Sequence, residues 1–474
     1  MLTYQDLINI PPDDAQKRLA FVQSVIFEHK ASELYETAVI AEEYNRKRNR
    51  TIIEFQKLLY SLNGTAVPDT MSANYKLTSS FFNRFIVQEN QYLLGNGVTW
   101  KKSESAKKLG EDFDIKLQKA GLYALSGGVS FGFYNNDKVE VFKVLEFAPL
   151  WDEETGALSA GVRFWQIDSS KPMRATLYET DGYTEYIWGQ RDSLGKVNNG
   201  GMILKEKQPY KIITKQVGTG EKEIVDGENY PSFPIVPLWG NPFHLSELVG
   251  LRESIDAYDL IKSGFCNTID EANIIYWLIQ GAGGMDDMDL TEFLARVRRT
   301  HAAAPQEGQT VDAKTIDPPV KGREILLNRI SADLYRDAMA LDTEKIAAGA
   351  VTATQIKAAY EPLNNKVDQF EYCVLEFLSH IMELAGIDDE PSFTRSMLVN
   401  AQETAQIVLQ GAQHFGEEYV TRKLLTLLGD GDQADEVLKR MAADELIRGN
   451  VVNAEAEQDE RQLLNNTDKK AEEE

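Results

Sequence analysis

Residues 246–272 read SELVGLRESIDAYDLIKSGFCNTIDEA, and the spacing inside that stretch decides what kind of fold the chain can adopt. Leu248, Leu251, Ile255, Tyr258, Ile261, Phe265, Ile269 and Ala272 recur at intervals of three and four, which lays them along one side of a helix. A rod of roughly 45 Å is predicted here at about 1.5 Å per residue. It is long for an isolated domain, and a single apolar stripe along it wants neighbours to cover it.

Working upstream, Pro231, Pro234, Pro237 and Pro242 close a region with a different period. From Val129 to Trp239 short apolar-polar alternations, Val162–Ile167, Ala175–Glu179, Tyr183–Trp188 and Tyr210–Val217, are separated by turn residues such as Asp181-Gly182 and Asp226-Gly227. That pattern predicts an antiparallel meander. Three helical stretches precede it, over about 12–60, 72–94 and 103–126, the second ending at Gly95-Asn96-Gly97.

Downstream, 274–321 is a short mixed segment carrying Gly281 to Gly284, the basic cluster Arg296, Arg298 and Arg299, and Pro305, Pro318 and Pro319. A helix returns over 322–341 with Leu327, Ile330, Leu334, Ala338 and Leu341 on one face, and 342–350 breaks it. Thr352 and Gln355 then form a capping box for the most regular helix of the chain. Its stripe, Ile356, Tyr360, Leu363, Val367, Phe370, Val374, Phe377, Ile381 and Leu384, alternates four and three until Gly386, and Pro362 is expected to kink its first turns. Shorter helices follow Pro391, and 454–474 is polar, acidic and reads as disordered.

The 474 residues, 43% hydrophobic and 26% charged, fit a soluble chain of two to four sub-structures, and no apolar run reaches the ~20 residues of a membrane helix. Met1 to Pro12 carries no signal peptide, so the chain is expected to stay in the cytosol. Cys266 and Cys373 sit in helical patterns and read as small buried hydrophobes. The formal net charge of −24 argues against tight gripping of nucleic acid along most of the surface, yet it suits a wall past which a polyanion slides.

Catalytic motifs are weak. Gly128-Val129-Ser130-Phe131-Gly132 matches G-x-S-x-G, but a helix precedes it and a strand follows, the reverse of a nucleophile elbow. A serine hydrolase built on Ser130 is therefore the lesser alternative. No G-x-x-x-x-G-K-[ST] occurs, which excludes a P-loop ATPase. The histidines, His29, His244, His301, His380 and His414, are scattered, and Asp430, Asp432 and Glu436 lack the glycine and glutamate of a calcium loop, so no metal or cofactor is expected. Arg46, Lys47, Arg48 and Arg50 have Glu42, Glu43 and Glu54 close enough to neutralise them, whereas Arg296, Arg298 and Arg299 form a positive island in an acidic chain.

Two blocks carry a family resemblance. Asn74-Tyr75 through Phe82-Asn83, with Val87, Asn90 and Tyr92-Leu93-Leu94-Gly95-Asn96-Gly97-Val98, resembles the opening signature of tailed-phage portal proteins of the Bacillus siphophage type. Ser232-Phe233-Pro234-Ile235-Val236-Pro237-Leu238, then Ser246-Glu247-Leu248 and Ile255-Asp256-Ala257-Tyr258-Asp259, is similar to that family's entry into its stem. The order beyond it, through Phe393-Thr394-Arg395, is similar as well, over roughly 70–450 in all. Where the family carries Ser-Gly-x-Ala before the long helix, this chain has Ala350-Val351-Thr352-Ala353.

The resemblance implies an α+β portal fold: an N-terminal helical segment 1–70, a wing of helices and antiparallel strands 71–243, stem helices 244–273 and 322–341, and a small α/β clip 274–321 between them. It also implies a tunnel loop 342–350, a long wing helix 351–390, a helical crown 391–453 and an acidic tail 454–474. The function it implies is a non-enzymatic, dodecameric ring at one capsid vertex, the channel for DNA packaging and ejection. Partners would be the packaging terminase, a head-completion adaptor, the major capsid and scaffold proteins, and passing double-stranded DNA, with assembly in the host cytoplasm and residence in the virion. Asp342, Thr343, Glu344 and Lys345 become the channel candidates, and Arg296, Arg298 and Arg299 the docking candidates of the clip. Twelve copies at −24 would make a ring of −288. Another head component, a minor head protein or adaptor, is the second alternative.

Overall fold

The computed structural model describes residues 2–60, 63–70, 72–191, 197–198, 201–217, 221–272, 276–280, 286, 288–289, 291–293, 295, 310–314, 320–344, 353–396, 401–428, 431 and 434–441. Helices α1 (Tyr4–Ile8), α2 (Ala15–Lys30), α3 (Glu33–Asn45) and α4 (Arg50–Glu54) open the chain, and a hairpin of β1 (Leu58–Tyr60) and β2 (Ala66–Pro68) follows. Asp14 caps α2 by accepting from Lys17 N at 3.0 Å, and Ser32 caps α3 by accepting from Tyr35 N at 3.2 Å. Then come α5 (Phe81–Leu94), the two-residue β3 (Val98–Thr99), α6 (Ser103–Lys107) and α7 (Phe113–Gly127).

The alternating region forms β4 (Val129–Tyr134), β5 (Val139–Lys143), β6 (Phe147–Trp151), β7 (Leu158–Trp165), β8 (Met173–Glu179) and β9 (Gly182–Trp188). The short β10 (Gln190–Arg191) and β11 (Val197–Asn198) pair, and β12 (Met202–Gln208), β13 (Lys211–Val217), β14 (Glu221–Glu228) and β15 (Ile235–Trp239) complete it. Strands β12-β9-β8-β7-β6 make a five-stranded sheet, and β15-β4-β5 a three-stranded one, every pair antiparallel. The fold is thus α+β with antiparallel sheets. One face of the larger sheet, through Leu150, Val162, Ala175, Leu177 and Tyr186, packs on Phe21, Val22, Val25 and Ile26 of α2, because the period of two and the period of 3.6 each supply one apolar face.

Beyond the strands lie α8 (Arg252–Ala272), β16 (Tyr276–Gln280) paired with β17 (Thr310–Lys314), and α9 (Val320–Asp337). The 33-residue α10 (Ala353–Ala385) continues through Pro362, and Gly386 at φ +61 ends it. Tyr360, Leu363, Val367, Phe370, Val374, Phe377, Ile381 and Leu384 of its stripe are all buried. β18 (Ser392–Phe393) pairs with β3.

Two compact units result, one of residues 1–342 and 361–396, the other of 343–360 and 397–474. In the second, α11 (Ala401–Gln410) and α12 (Glu417–Leu428) are joined by a turn whose Phe415 ring lies 5.1 Å from that of Tyr419 in α12, and Arg422 pairs with Glu418 at 3.3 Å and Asp435 at 2.9 Å. Among the described residues no helix is long and apolar enough to cross a membrane.

Several boundaries differ from the sequence expectation, each for a local reason. The rod starts at Arg252, not Ser246, and its 21 residues give about 31 Å, because Gly250 sits at φ +84 and the Ser246 hydroxyl donates to Ser126 O at 2.5 Å, holding 246–251 in turns. The helix expected over 322–341 runs from Val320 to Asp337, and Met339 at φ +53 breaks it, although Leu334, Ala338 and Leu341 stay buried. Residues 72–80 are not helical, and 58–60 are a strand. Cys373 is buried, which raises its thiol pKa, whereas Cys266 is only half-buried. Thr352, the Gly281–Gly284 run, Asp430, Asp432, His301 and the tail 454–474 lie outside the described residues.

Candidate functional site

α8 is held along most of its length by a ladder of side chains. Asp259, Ser263 and Asn267 stand four residues apart on α8 and accept from the backbone amides of Ser79 at 2.9 Å, Leu77 at 2.9 Å and Tyr75 at 2.7 Å. The match is geometric: four helical residues rise ~6 Å, and two residues of extended chain cover ~6.6 Å, so alternate amides of 75–79 meet successive turns of α8. Asp259 is fully buried and also accepts from Asn49 Nδ2. Burial raises its pKa, against the hydrogen bonds from Asn49 and Ser79, which lower it. One turn earlier Asp256 accepts from Thr51 Oγ1 at 2.7 Å and from the Tyr44 hydroxyl, and burial, with that carboxylate next, pushes the Tyr44 phenol up to about 12.

Aromatic rings fill the space beside the ladder. Tyr258 of α8 meets Phe81 edge-on at 5.0 Å, and Tyr335 of α9 meets Phe85 at 5.3 Å, so α5 buttresses both rods. Beside Ser263 and Asn267, Arg323 of α9 donates to Gly264 O at 3.0 Å and Thr268 Oγ1 at 2.6 Å, tying rod to rod.

Where α9 ends, the chain leading to Asp342 is pinned. Gln88 donates to Leu341 O at 3.0 Å and accepts from Leu341 N at 2.8 Å, treating that residue as a strand partner would. Next to it Lys366 places Nζ 2.8 Å from Glu89 and 2.7 Å from Glu247 and donates to Ala338 O at 3.3 Å. One cation faces two carboxylates in a site where Glu89 is 2% exposed. Burial first, and Glu247 beside it, push Glu89 up to about 7 against the opposing pull of Lys366. Burial works to lower the Lys366 pKa, but Glu89 and Glu247 outweigh it and the net shift is upward. The three side chains line a cavity of about 270 Å³ with Asp337, Met339 and Phe243.

Of the residues singled out in the sequence, Asp342 follows the pinned Leu341, and Thr343 and Glu344 open the second unit. Lys345, Arg296, Arg298 and Arg299 lie outside the described residues, the last three between β16 and β17. Arg46 pairs with Glu42, and Arg50 with Glu43 at 2.9 Å. Ser130 is fully buried in β4, and its hydroxyl donates to Ala120 O at 2.8 Å. Buried within a strand, Ser130 is not the exposed serine of a strand-to-helix turn that the hydrolase alternative requires. The motif's glycines have structural causes: Gly128, at φ +87, turns α7 into β4, and a Cβ on Gly132 would come within 2.5 Å of the Phe377 ring. His29 is buried with Nε2 2.7 Å from Val144 O, and His244 stacks on Trp239 at 3.7 Å. No cluster of three or more metal-ligating side chains occurs among the described residues.

Sequence reasoning missed Gln88, Glu89, Lys366 and the polar face of α8. A signal existed: Glu89 interrupts the apolar period Phe82, Phe85, Leu93 of α5, and Lys366 falls on the stripe between Leu363 and Phe370. A charge on an apolar stripe has to find a partner inside.

Two rods held by a polar ladder, with the strand pair β16–β17 between them in the chain and a pinned segment after the second, make up the arrangement. The family model for phage portal proteins of the SPP1 Gp6-like type matches residues 24–445, and this chain belongs to that family. The portal protein of Bacillus phage SPP1 is 23% identical over 431 residues, covering 84% of this chain and 81% of the relative. That of Clostridium phage phiCD119 is 24% identical over 246 residues, covering 48% of this chain and 54% of the relative, so the matched chain spans about half that protein's length. Among solved structures, a chain of the virion of a native gene transfer agent particle superposes with a TM-score of 0.41 at 14% identity, over 74% of this chain and 89% of its own. A chain of the native particle's neck, computed with C12 symmetry, gives 0.39 at 12% identity, over 78% and 96%.

Proposed function

We propose that the chain is the ring-forming portal subunit at one vertex of a phage head, twelve copies of which surround a channel for double-stranded DNA during packaging and ejection. In this reading α8 and α9 are the stem, β16 and β17 with the segment between them are the clip, and residues 342–350 are the loop that reaches the channel. The observation that carries it is the family match from residue 24 to 445 together with the order of rod, strand, strand, rod along the chain.

The electrostatics suit a conduit. Affinity for DNA grows with the number of phosphates neutralised, and a chain at −24 offers few such contacts, so the duplex slides. Contacts fall to single side chains, Lys345 first, on a loop whose root is fixed by Gln88. Arg296, Arg298 and Arg299 give the clip a positive island for the packaging terminase and, afterwards, the head-completion adaptor. The test is a packaging assay with Arg296, Arg298 and Arg299 all changed to Glu. The expected result is an intact ring that fails to package DNA. Normal packaging, or tight sequence-specific DNA binding with a steep salt dependence, contradicts the reading.

A further inference from the structure

The chain passes three times between its two compact units, after Asp342, between Tyr360 and Glu361, and after Ser396. Inside the first unit each passage is fastened close to the boundary, and all three fastenings converge on one turn of α5. Gln88 holds Leu341 through both backbone groups, one residue before the first passage ends. The Tyr92 hydroxyl donates to Asn364 Oδ1 at 2.7 Å, one helical turn beyond the second. At the third, Ser396 N donates to Tyr92 O at 3.0 Å. Arg395 ties the last two together by donating to the same Asn364 oxygen at 3.1 Å and to Glu371 at 2.7 Å. Gln88 and Tyr92 stand four residues apart, so the anchors spring from about 6 Å of one helix face.

That spacing decides what the joint can do. Anchors spread over a body hold whatever they carry rigidly, whereas anchors gathered at one place let it turn about that place. The anchoring helix itself does not give: Phe82, Phe85, Ile86, Leu93 and Leu94 of α5 are buried, and Tyr92 is buried with them. Bending is left to the chain at the boundaries. At the second passage the sequence provides for it, because Pro362 has no amide to donate to the carbonyl of residue 358, and α10 lacks one of the rungs that span the boundary.

We propose that the turn Gln88–Tyr92 of α5 is a pivot about which residues 343–360 and 397 onward move as one body. The inference goes beyond the ring reading above and stands without it. Under that reading Thr343 and Glu344, at the start of the channel loop, and the helices α11 and α12 belong to the moving body, so displacing one displaces the other.

The test is pulsed electron resonance on the full chain, with Cys266 and Cys373 changed to Ala and nitroxides on pairs of cysteines introduced at exposed positions. Ile115 with Lys423 spans the two units, Ile115 with Tyr372 lies in the first, and Lys357 with Lys423 lies in the second. Labelled chains are mixed with an excess of unlabelled ones, so that each distance is read within one chain whether or not rings form. The distance distribution between units is expected to be at least about twice as wide as either distribution within a unit. Pro362→Ala, which restores the missing rung, narrows it, and Tyr92→Phe, which frees Asn364, widens it. A distribution between units as narrow as those within them overturns the pivot. A Lys357–Lys423 distribution as wide as the one between units shows that the second unit is no single body, and a width that neither substitution changes removes the pivot from α5; both outcomes overturn the proposal. Because ring formation does not enter these distances, the ring reading and the pivot fail separately.

Discussion

Two sets of side chains on α8 and α9 obey opposite rules. Along α8 the polar side chains of one face are used up: Asp256, Asp259, Ser263 and Asn267 each accept from residues between 44 and 79. Elsewhere on the same two helices Ile269, Val320, Ile325 and Leu326 stand exposed. The ladder is satisfied within one chain, and its residues fix where the rods stand. An apolar stripe alone does not announce the ladder, since its partners lie far away in the sequence.

Substitutions in the ladder should break this contrast most strongly. Asp259→Ala strands the amide of Ser79 and the side chain of Asn49 in a buried site, and each such group costs ~1–3 kcal/mol, so a loss of about 3 kcal/mol is expected in denaturant unfolding. A change below about 0.5 kcal/mol would show the ladder to be dispensable. Ser263→Ala, which strands one amide, should cost less.

The pinned end of α9 sharpens the contrast through pH. Glu89 moves from 4.5 to about 7 in the folded chain, so the native state holds a proton that the unfolded state has released. Stability should therefore fall as pH rises from 4.5 to 7 and level off above, by roughly 3 kcal/mol at about 1.4 kcal/mol per pH unit. Glu89→Gln should flatten that slope and make the variant the more stable form at pH 8. An unchanged slope would assign the pH dependence to other groups.

The smallest effect on folding belongs to the exposed side chains. Ile325→Ser removes one of them, so unfolding of the chain should shift by less than about 0.5 kcal/mol. A large loss in the monomer would mean that the face is already covered within the chain.

Much of this arrangement is legible in the sequence because period alone encodes it. The β meander, the stripe from Leu363 to Leu384 and the terminating Gly386 follow from spacings of two, of three and four, and from one glycine. The family resemblance is likewise carried by Asn74 to Val98 and Ser232 to Asp259, and in the structure the first block meets the helix that the second one opens: Tyr75, Leu77 and Ser79 are the partners of Asn267, Ser263 and Asp259. That pairing joins residues about 180 apart, and no local pattern announces it. For the same reason residues 72–80, helical by expectation, are not helical in the structure: the amides of Tyr75, Leu77 and Ser79 bond to α8 and not to their own backbone. The start of the rod was misplaced because Gly250 interrupts a stripe that is continuous on paper. The Glu89–Lys366–Glu247 group could have been suspected from two charges on apolar stripes, but not which of them meet.

The central claim is that this chain builds a ring around a channel, and electron microscopy of the purified full-length protein tests it most directly. The account predicts closed rings, twelve subunits around an open centre, with the rods standing along the axis. A population of single chains or of compact, closed oligomers without a central channel at assembly concentrations would contradict it.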